Sequence, residues 1–502
     1  MRNQRTQPSQ IRTIQLLILG AMMTLLFACS SEESDNNYGA IKFYNASSNS
    51  PEIFFTIDED LEDEDEDAFE ATYSSIGYGE TSPTRELEDK RYFLEFSWQS
   101  EDSSSRDDLT ILHESQVTIE KDQLALFVLD GDINSANVLQ YNLAIIDDDN
   151  DDDEELFNLS ILNLHDQFGS LQLHASLANE TFNEAMPVSQ FEFQQLSDNQ
   201  KLAQEEYIFY LTLPQSNDVL FQSDSINFPY ANQYLLMVKP SNGYGESDFS
   251  IDILSWSSFL PLQHYGETGQ FRVYNGIETH ELLEDYTGQI SASFTTIGDD
   301  IDIESLQIGN YSEIYSAQRG DYSIDLVATD SEHPLLSNHL VTLSENAFKT
   351  VFFYLSEENV DHDGDGDVDE DGDGYVDETE IKIQSMVVEN NLNESLYQHH
   401  LQILNLVNND DYPSIRLYFV RSDELIETAS YWRTAWFATP TEITLTNNTY
   451  EVYAVAQDDS SDIILASELL VLDQDSPNQF ILLERDDSTS SGYRMTFTAQ
   501  NQ

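Results

Sequence analysis

The chain has 502 residues and a formal net charge of -74, from 94 acidic and 20 basic side chains. Nucleic acid is a very poor partner for it, because binding nucleic acid needs clustered Lys and Arg, and bare anionic lipid repels it too. With 40% apolar and 11% aromatic residues the chain still holds enough for real cores, so the charge reads as solubility in salty water, where self-repulsion is screened.

In chain order, the first element is an export signal. Arg2, Arg5 and Arg12 form a positive start, and Leu16 to Ala28 is an apolar run too short to span a bilayer as a mature helix. The run ends in Leu26-Phe27-Ala28-Cys29, and Cys29 is the only cysteine in the chain. No disulfide can form within the chain, so its domains must be held by their cores. The stretch resembles the lipobox of bacterial lipoproteins. The resemblance implies that residues 1–28 are removed and that Cys29 is lipidated and becomes the membrane anchor. Ser30 and Ser31 follow in place of an aspartate, which by resemblance to Gram-negative lipoprotein sorting implies the outer membrane, with the protein on its periplasmic or outer face. Residues 29–38 then read as a polar tether.

Four segments downstream share an opening: Ile41-Lys42-Phe43-Tyr44-Asn45, Leu159-Ser160-Ile161-Leu162-Asn163, Phe271-Arg272-Val273-Tyr274-Asn275 and Leu401-Gln402-Ile403-Leu404-Asn405. The Asn-to-Asn spacings are 118, 112 and 130 residues. Three further landmarks follow in the same order in every copy. A tyrosine opens a mid-domain strand (Tyr92, Tyr207, Tyr322, Tyr450). A strongly apolar strand comes next (Gln123 to Leu129, Gln233 to Val238, Thr350 to Leu355, Gln479 to Leu483). An alternating strand closes the copy (Gln140 to Ile146, Asp248 to Leu254, Glu380 to Val388, Tyr493 to Thr498). A period near a hundred residues fits an independent domain, not a solenoid unit.

The strands are short, β-branched or aromatic, and set between turn-rich segments, which predicts an all-β chain of four tandem antiparallel sandwiches of immunoglobulin type. The copies are placed at 39–147, 156–256, 269–389 and 399–500. IKFYNAS and PEIFFTID resemble tandem immunoglobulin-like domains of bacterial lipoproteins, a family of unknown function. The resemblance implies the sandwich fold and envelope placement and supplies no catalytic residue. Linkers are expected at Asp147 to Glu155, a nearly pure acidic run, at Ser255 to Thr268 and at Asn390 to Gln398. Asp58 to Asp67 reads as an acidic loop inside copy one.

The sharpest motif lies in copy three, Asp361 to Glu380. Its second half fits the calcium loop D-x-D-x-D-G-x5-E, with Asp369, Asp371 and Asp373 at positions one, three and five and Gly374 at the sharp turn. Tyr375 offers its carbonyl, Asp377 binds directly or through water, and Glu380 binds with both oxygens, about the set of hard oxygens Ca²⁺ requires. Val376 is expected to pin the loop to a core. Asp361, Asp363, Asp365 and Asp367 form a partial loop upstream, in which Gly372 stands where the closing Glu should be. Overlapping loops of this kind resemble the calcium repeats of thrombospondin-type and dockerin-like proteins. The flanks read as strands, so a calcium-loaded hairpin tip is expected in place of an EF-hand.

Enzyme signals are sparse. His280-Glu281-Leu282-Leu283-Glu284 is half of a zinc-protease motif without the second histidine, and reads as a loop. Leu282 to Tyr286 makes a helical turn at most. His399-His400 is placed in a linker. Tyr431, Trp432, Trp436 and Phe437 read first as sandwich core and second as a platform for a sugar or a partner. The expected function is therefore non-enzymatic: an envelope or surface lipoprotein with a binding, adhesive or structural role toward a protein or glycan. A carbohydrate-recognising accessory protein is the first alternative, and an enzyme with an inter-domain site the second.

Overall fold

The computed structural model describes residues 37–59, 69–100, 103, 108–146, 155–296, 299–361, 368, 369, 376–391, 393, 395–408, 412, 414–458 and 461–501. Cys29 and the whole export signal lie outside them. Among the described residues the chain is built from strands, with three short 3₁₀ turns as its helical elements.

Copy one has eight strands: β1 (Tyr38–Asn45), β2 (Ile53–Asp58), β3 (Glu70–Ile76), β4 (Arg85–Glu88), β5 (Arg91–Trp98), β6 (Thr110–Thr118), β7 (Gln123–Asp130) and β8 (Asn137–Ala144). They form two four-stranded sheets, β4-β1-β7-β8 and β3-β2-β5-β6. The other three copies repeat both strand orders, so all four are sandwiches of one topology. Each carries one parallel pair, its first strand against its seventh, among otherwise antiparallel neighbours. The four sequence landmarks are the first, fifth, seventh and eighth strands. Each copy closes on its own core, for example Phe43, Phe55, Phe96 and Phe127 in copy one.

The repeated Asn and Tyr have local jobs. Asn45, Asn163, Asn275 and Asn405 are buried, and the Oδ1 of each accepts the backbone N–H two residues on, at 2.9–3.2 Å. This side-chain turn ends the first strand and satisfies a buried donor. The fifth-strand tyrosine reaches back four residues. Tyr322 donates to Gln318 O at 2.9 Å and Tyr450 to Thr446 O at 3.0 Å, while Tyr92 and Tyr207 bond the backbone of Glu88 and Ala203. This is the tyrosine-corner device of immunoglobulin-type sandwiches.

The copies are not beads on a string. The β4-β1-β7-β8 sheet of copy one packs face to face on its counterpart in copy two, burying Tyr44, Leu126, Val128 and Leu143 against Leu162, Leu164, Leu235, Met237 and Leu254. Copies three and four repeat the arrangement with Tyr274, Phe352, Tyr354, Met386 and Val388 against Leu404, Leu406, Phe480 and Leu482. First and seventh strands are thus covered on both faces, which is why they read as continuous apolar runs.

Polar anchors distinguish the odd copies from the even ones. Tyr44 donates to Asp252 Oδ2 of copy two (2.5 Å), which also pairs with Lys239 Nζ at 2.7 Å. Tyr274 donates to Glu484 of copy four, which also holds Arg494 at 2.9 Å. Two residues before each tyrosine stands a buried cation that reaches the end of the partner's eighth strand. Lys42 Nζ donates to Ser255 O (3.1 Å) and Arg272 Nη2 to Ala499 O (2.8 Å). Copies two and four carry Ser160 and Leu162, or Gln402 and Leu404, at these positions.

Two expected linkers prove to be structure. Phe259–Leu262 adds a fifth strand to the copy-two sheet, because its alternate backbone groups complete the ladder of Phe249–Leu254. In the second, residues 396–398 lie on copy one: Leu396 and Tyr397 pack on its core, Tyr397 lies against Trp98 at 5.0 Å, and Gln398 Oε1 accepts the Glu52 N–H at 2.7 Å. Copies two and three meet through Arg319, which bridges Asp224 and Glu345, and through Tyr244 on Phe348. The start of copy four therefore returns to copy one.

Candidate functional sites

The described strands that border the acidic motif are the last two of copy three, Phe348–Asn359 and Thr379–Glu389, which pair as a hairpin. Both flanks are strands. The tip closes on itself through Val360 N–H to Glu378 O (2.9 Å) and Asp377 N–H to Val368 O (3.1 Å). The second bond brings the backbones of loop positions one and nine, Asp369 and Asp377, to the same level of the hairpin. Glu380, position twelve, is exposed on the returning strand opposite Glu358, whose charge is met by Lys382. Asp371, Asp373 and Tyr375, and Asp363, Asp365 and Asp367 of the upstream loop, lie outside the described residues, while Asp361 ends the outgoing arm. Among the described residues no three His, Cys, Asp or Glu side chains converge tightly enough to hold a metal. The hard-oxygen chemistry and the closed hairpin base fit Ca²⁺. Val376, expected to pin the loop to a core, is instead 43% exposed.

The histidine motifs are structural. His280 Nδ1 accepts the Leu282 N–H at 3.1 Å, capping a turn, and its Nε2 lies 3.7 Å from Glu357, while Glu281 and Glu284 face solvent. Leu282 to Tyr286 forms turns with no helix. His399 and His400 are not in a linker; they belong to the first strand of copy four, Gln398–Asn405, where they bond Asn447 and Thr444. Burial lowers the His399 pKa below its ordinary value.

Beside His280, where copies three and four meet, Glu278 sits 3.7 Å from Arg485. Burial pushes the Glu278 carboxyl up to about 7, with Arg485 opposing the shift and Glu357 and Asp487 adding to it. A groove of about 740 Å³ lies where copies one, two and four meet, lined by residues that include Asn49, Asn242, Tyr244, Gln474, Asp475 and Asn478. It offers one carboxylate and no histidine, lysine or cysteine, so it lacks a pair for acid–base or nucleophilic chemistry.

The aromatic cluster of copy four divides three ways, correcting its reading as core. Its second strand is Ser414–Val420 and its third Tyr431–Trp436. Alternation along the third strand sends Tyr431 inward against Tyr450. Phe437, just past its end, packs on Tyr354 in the interface with copy three. Trp432 and Trp436 point outward and are 46% and 52% exposed. Register places Tyr418 directly opposite Trp432 and Tyr453 beyond Tyr418, an aromatic row across three strands. Arg416, one step along, holds its guanidinium 5.0 Å from the Trp432 ring and donates to Tyr418 Oη at 3.1 Å. Ile464, Leu469 and Val471 extend the exposed apolar surface to the far edge of the sheet. The sequence signal was available: i, i+2 and i+4 on a strand share one face, and Trp432 and Trp436 are four apart.

No family model and no curated protein matches the chain. Among solved structures it is similar to the Bacillus anthracis TIE protein (10% identity, 93% of this chain and 78% of that one, TM-score 0.15). It is also similar to a putative adhesin from Bacteroides ovatus (8% identity, 47% and 99%, TM-score 0.14) and to the FN1-FN3 domains of chicken CNTN1 (11% identity, 60% and 91%, TM-score 0.12). TM-scores this low mean that the whole chains do not superpose, and the likeness transfers neither arrangement nor function.

Proposed function

We propose that this protein is a lipid-anchored envelope protein that binds carbohydrate through the outer sheet face of copy four, with calcium ordering the hairpin of copy three. The observation that carries the binding reading is the exposure of Trp432 and Trp436 on one face. A solvent-facing tryptophan pair leaves a large apolar area in water, and such surfaces mark interaction sites. The two side chains stand four residues apart on one strand, about 13 Å, a spacing suited to stacking separate rings of an extended chain. Flat aromatic faces suit pyranose rings, and the neighbouring Tyr418, Tyr453 and Arg416 supply hydroxyl and cationic hydrogen-bonding groups. The paired sandwiches give this face a fixed backing. The lipid anchor rests on the Leu26-to-Cys29 motif; no helix among the described residues is long and apolar enough to cross a membrane.

A glycan array probed with the purified chain, beside Trp432→Ala and Trp436→Ala, tests the proposal. Binding to a defined set of glycans, lost in both variants while the thermal melt is kept, is the expected result. Binding untouched by either substitution, or none to any glycan, would sink the carbohydrate reading.

A further inference from the structure

The carbohydrate reading leaves the class of sugar open, and the position of Arg416 narrows it. Only 20 of the chain's residues are Lys or Arg, against 94 acids, and the other buried or half-buried cations described above are engaged with carboxylates, backbone carbonyls or aromatic rings of the fold. Arg416 sits half-buried in the middle of the aromatic face, and its contacts among the described residues are the Trp432 and Tyr418 rings and the Tyr418 hydroxyl. No carboxylate among the described residues pairs with it. Leaning on Trp432 and tied through Nη1, the guanidinium is held in place with donors to spare. On the sheet it lies between the two tryptophans: its direct neighbour on the third strand is Thr434, and Trp432 and Trp436 flank that residue. Diagonal neighbours on a sheet are roughly 7–8 Å apart. A pyranose stacked on Trp436 therefore brings a substituent on its ring to Arg416.

We propose that the face selects a uronic-acid polysaccharide, one ring stacked on Trp436 and its carboxylate held by Arg416. The inference rests on the carbohydrate reading above. A planar carboxylate set directly on the ring matches the planar guanidinium fork, which makes charge-assisted, two-point contacts. The field of the remaining protein opposes any anion, so the contact is local and its long-range setting is repulsive. Salt should then act in an unusual sense. Raising ionic strength from low values screens the repulsion over distances beyond the Debye length, about 10 Å at 0.1 M, before it weakens the short Arg416 contact.

Binding of the purified chain to polygalacturonate, dextran sulfate and neutral dextran, measured by affinity electrophoresis and calorimetry over a range of NaCl, tests this. Polygalacturonate is expected to bind, more tightly at about 0.15 M salt than at about 0.02 M. Arg416→Gln should weaken it by about tenfold to a hundredfold, and Trp436→Ala should abolish it, with both variants melting like the parent. Dextran bound as well as polygalacturonate, with Arg416→Gln without effect and Trp436→Ala destructive, overturns the uronate inference and leaves the carbohydrate reading standing. Preference for dextran sulfate over polygalacturonate also overturns it. Failure to bind all three, together with an empty glycan array, removes both.

Discussion

The clearest physical test concerns the pairing of the sandwiches. A fragment of copy two alone, residues 155–267, should fail where the two-copy fragment 37–267 succeeds. In the single copy, Leu162, Leu164, Leu235, Met237 and Leu254 lose the cover of copy one. Full burial of a Leu or Met side chain is favourable by about 1.5–3 kcal/mol, so five of them set an upper bound of roughly 8–15 kcal/mol. Each already rests on its own sheet, so about half of that belongs to the interface. Even that half is comparable with the whole net stability of a typical domain, about 5–15 kcal/mol. Asp252 and Lys239 would stay paired with each other but lose the Tyr44 hydroxyl. The fragments should be compared by light scattering on a sizing column and by thermal melts. The pair is expected to be monomeric with one cooperative transition, and the single copy to self-associate or melt far lower. A monomeric 155–267 fragment melting within a few degrees of the pair would refute the reasoning, because the shared apolar layer would then contribute almost nothing.

Other outcomes follow from single groups. Burial raises the Glu278 pKa from 4.5 to about 7, so the folded state binds the extra proton between those values and stability falls as pH rises through that window. Glu278→Gln should therefore raise the melting temperature at pH 8, by an amount worth up to about 2 kcal/mol after allowance for partial exposure, and leave it nearly unchanged at pH 4; an unaltered pH profile would contradict the assigned cause. Calcium added to the full chain should stabilise it by about 1.4 kcal/mol at tenfold saturation, and Asp371→Ala with Glu380→Ala should remove both that shift and the heat of binding. No heat at millimolar calcium would leave only a solvated acidic hairpin. Cys29→Ser should move the protein from the membrane pellet to the soluble envelope fraction, and a variant that still pellets would count against lipidation.

The repeated opening strand, the buried Asn, the fifth-strand Tyr and the two apolar strands near the end of each copy were legible because local chemistry fixes them. A side-chain turn at Asn45 or a tyrosine corner at Tyr322 involves residues two to four apart, and such signals survive in a linear chain. The third, fourth and sixth strands carried weaker signals, since several are half-exposed and lack a continuous apolar run, and the second was read only in copy one, as PEIFFTID. The strands that flank the acidic segment were legible because their apolar and alternating patterns are sequence properties.

What the sequence alone determined was thus an all-β chain of four repeated sandwiches. The tertiary structure decided what each outward face meets. Lys42-x-Tyr44 and Arg272-x-Tyr274 differ visibly from Ser160-x-Leu162 and Gln402-x-Leu404, but only the packed sheets show that the first kind docks on the second. Trp432 and Tyr431 are adjacent in sequence, yet strand alternation sends one to water and the other to the core, and which side holds the core depends on residues far away in the chain. Phe259–Leu262 reads as a linker until a sheet edge is present to pair with it. Long-range burial and strand pairing are set by contacts between distant segments, and no local pattern of side chains encodes them by itself.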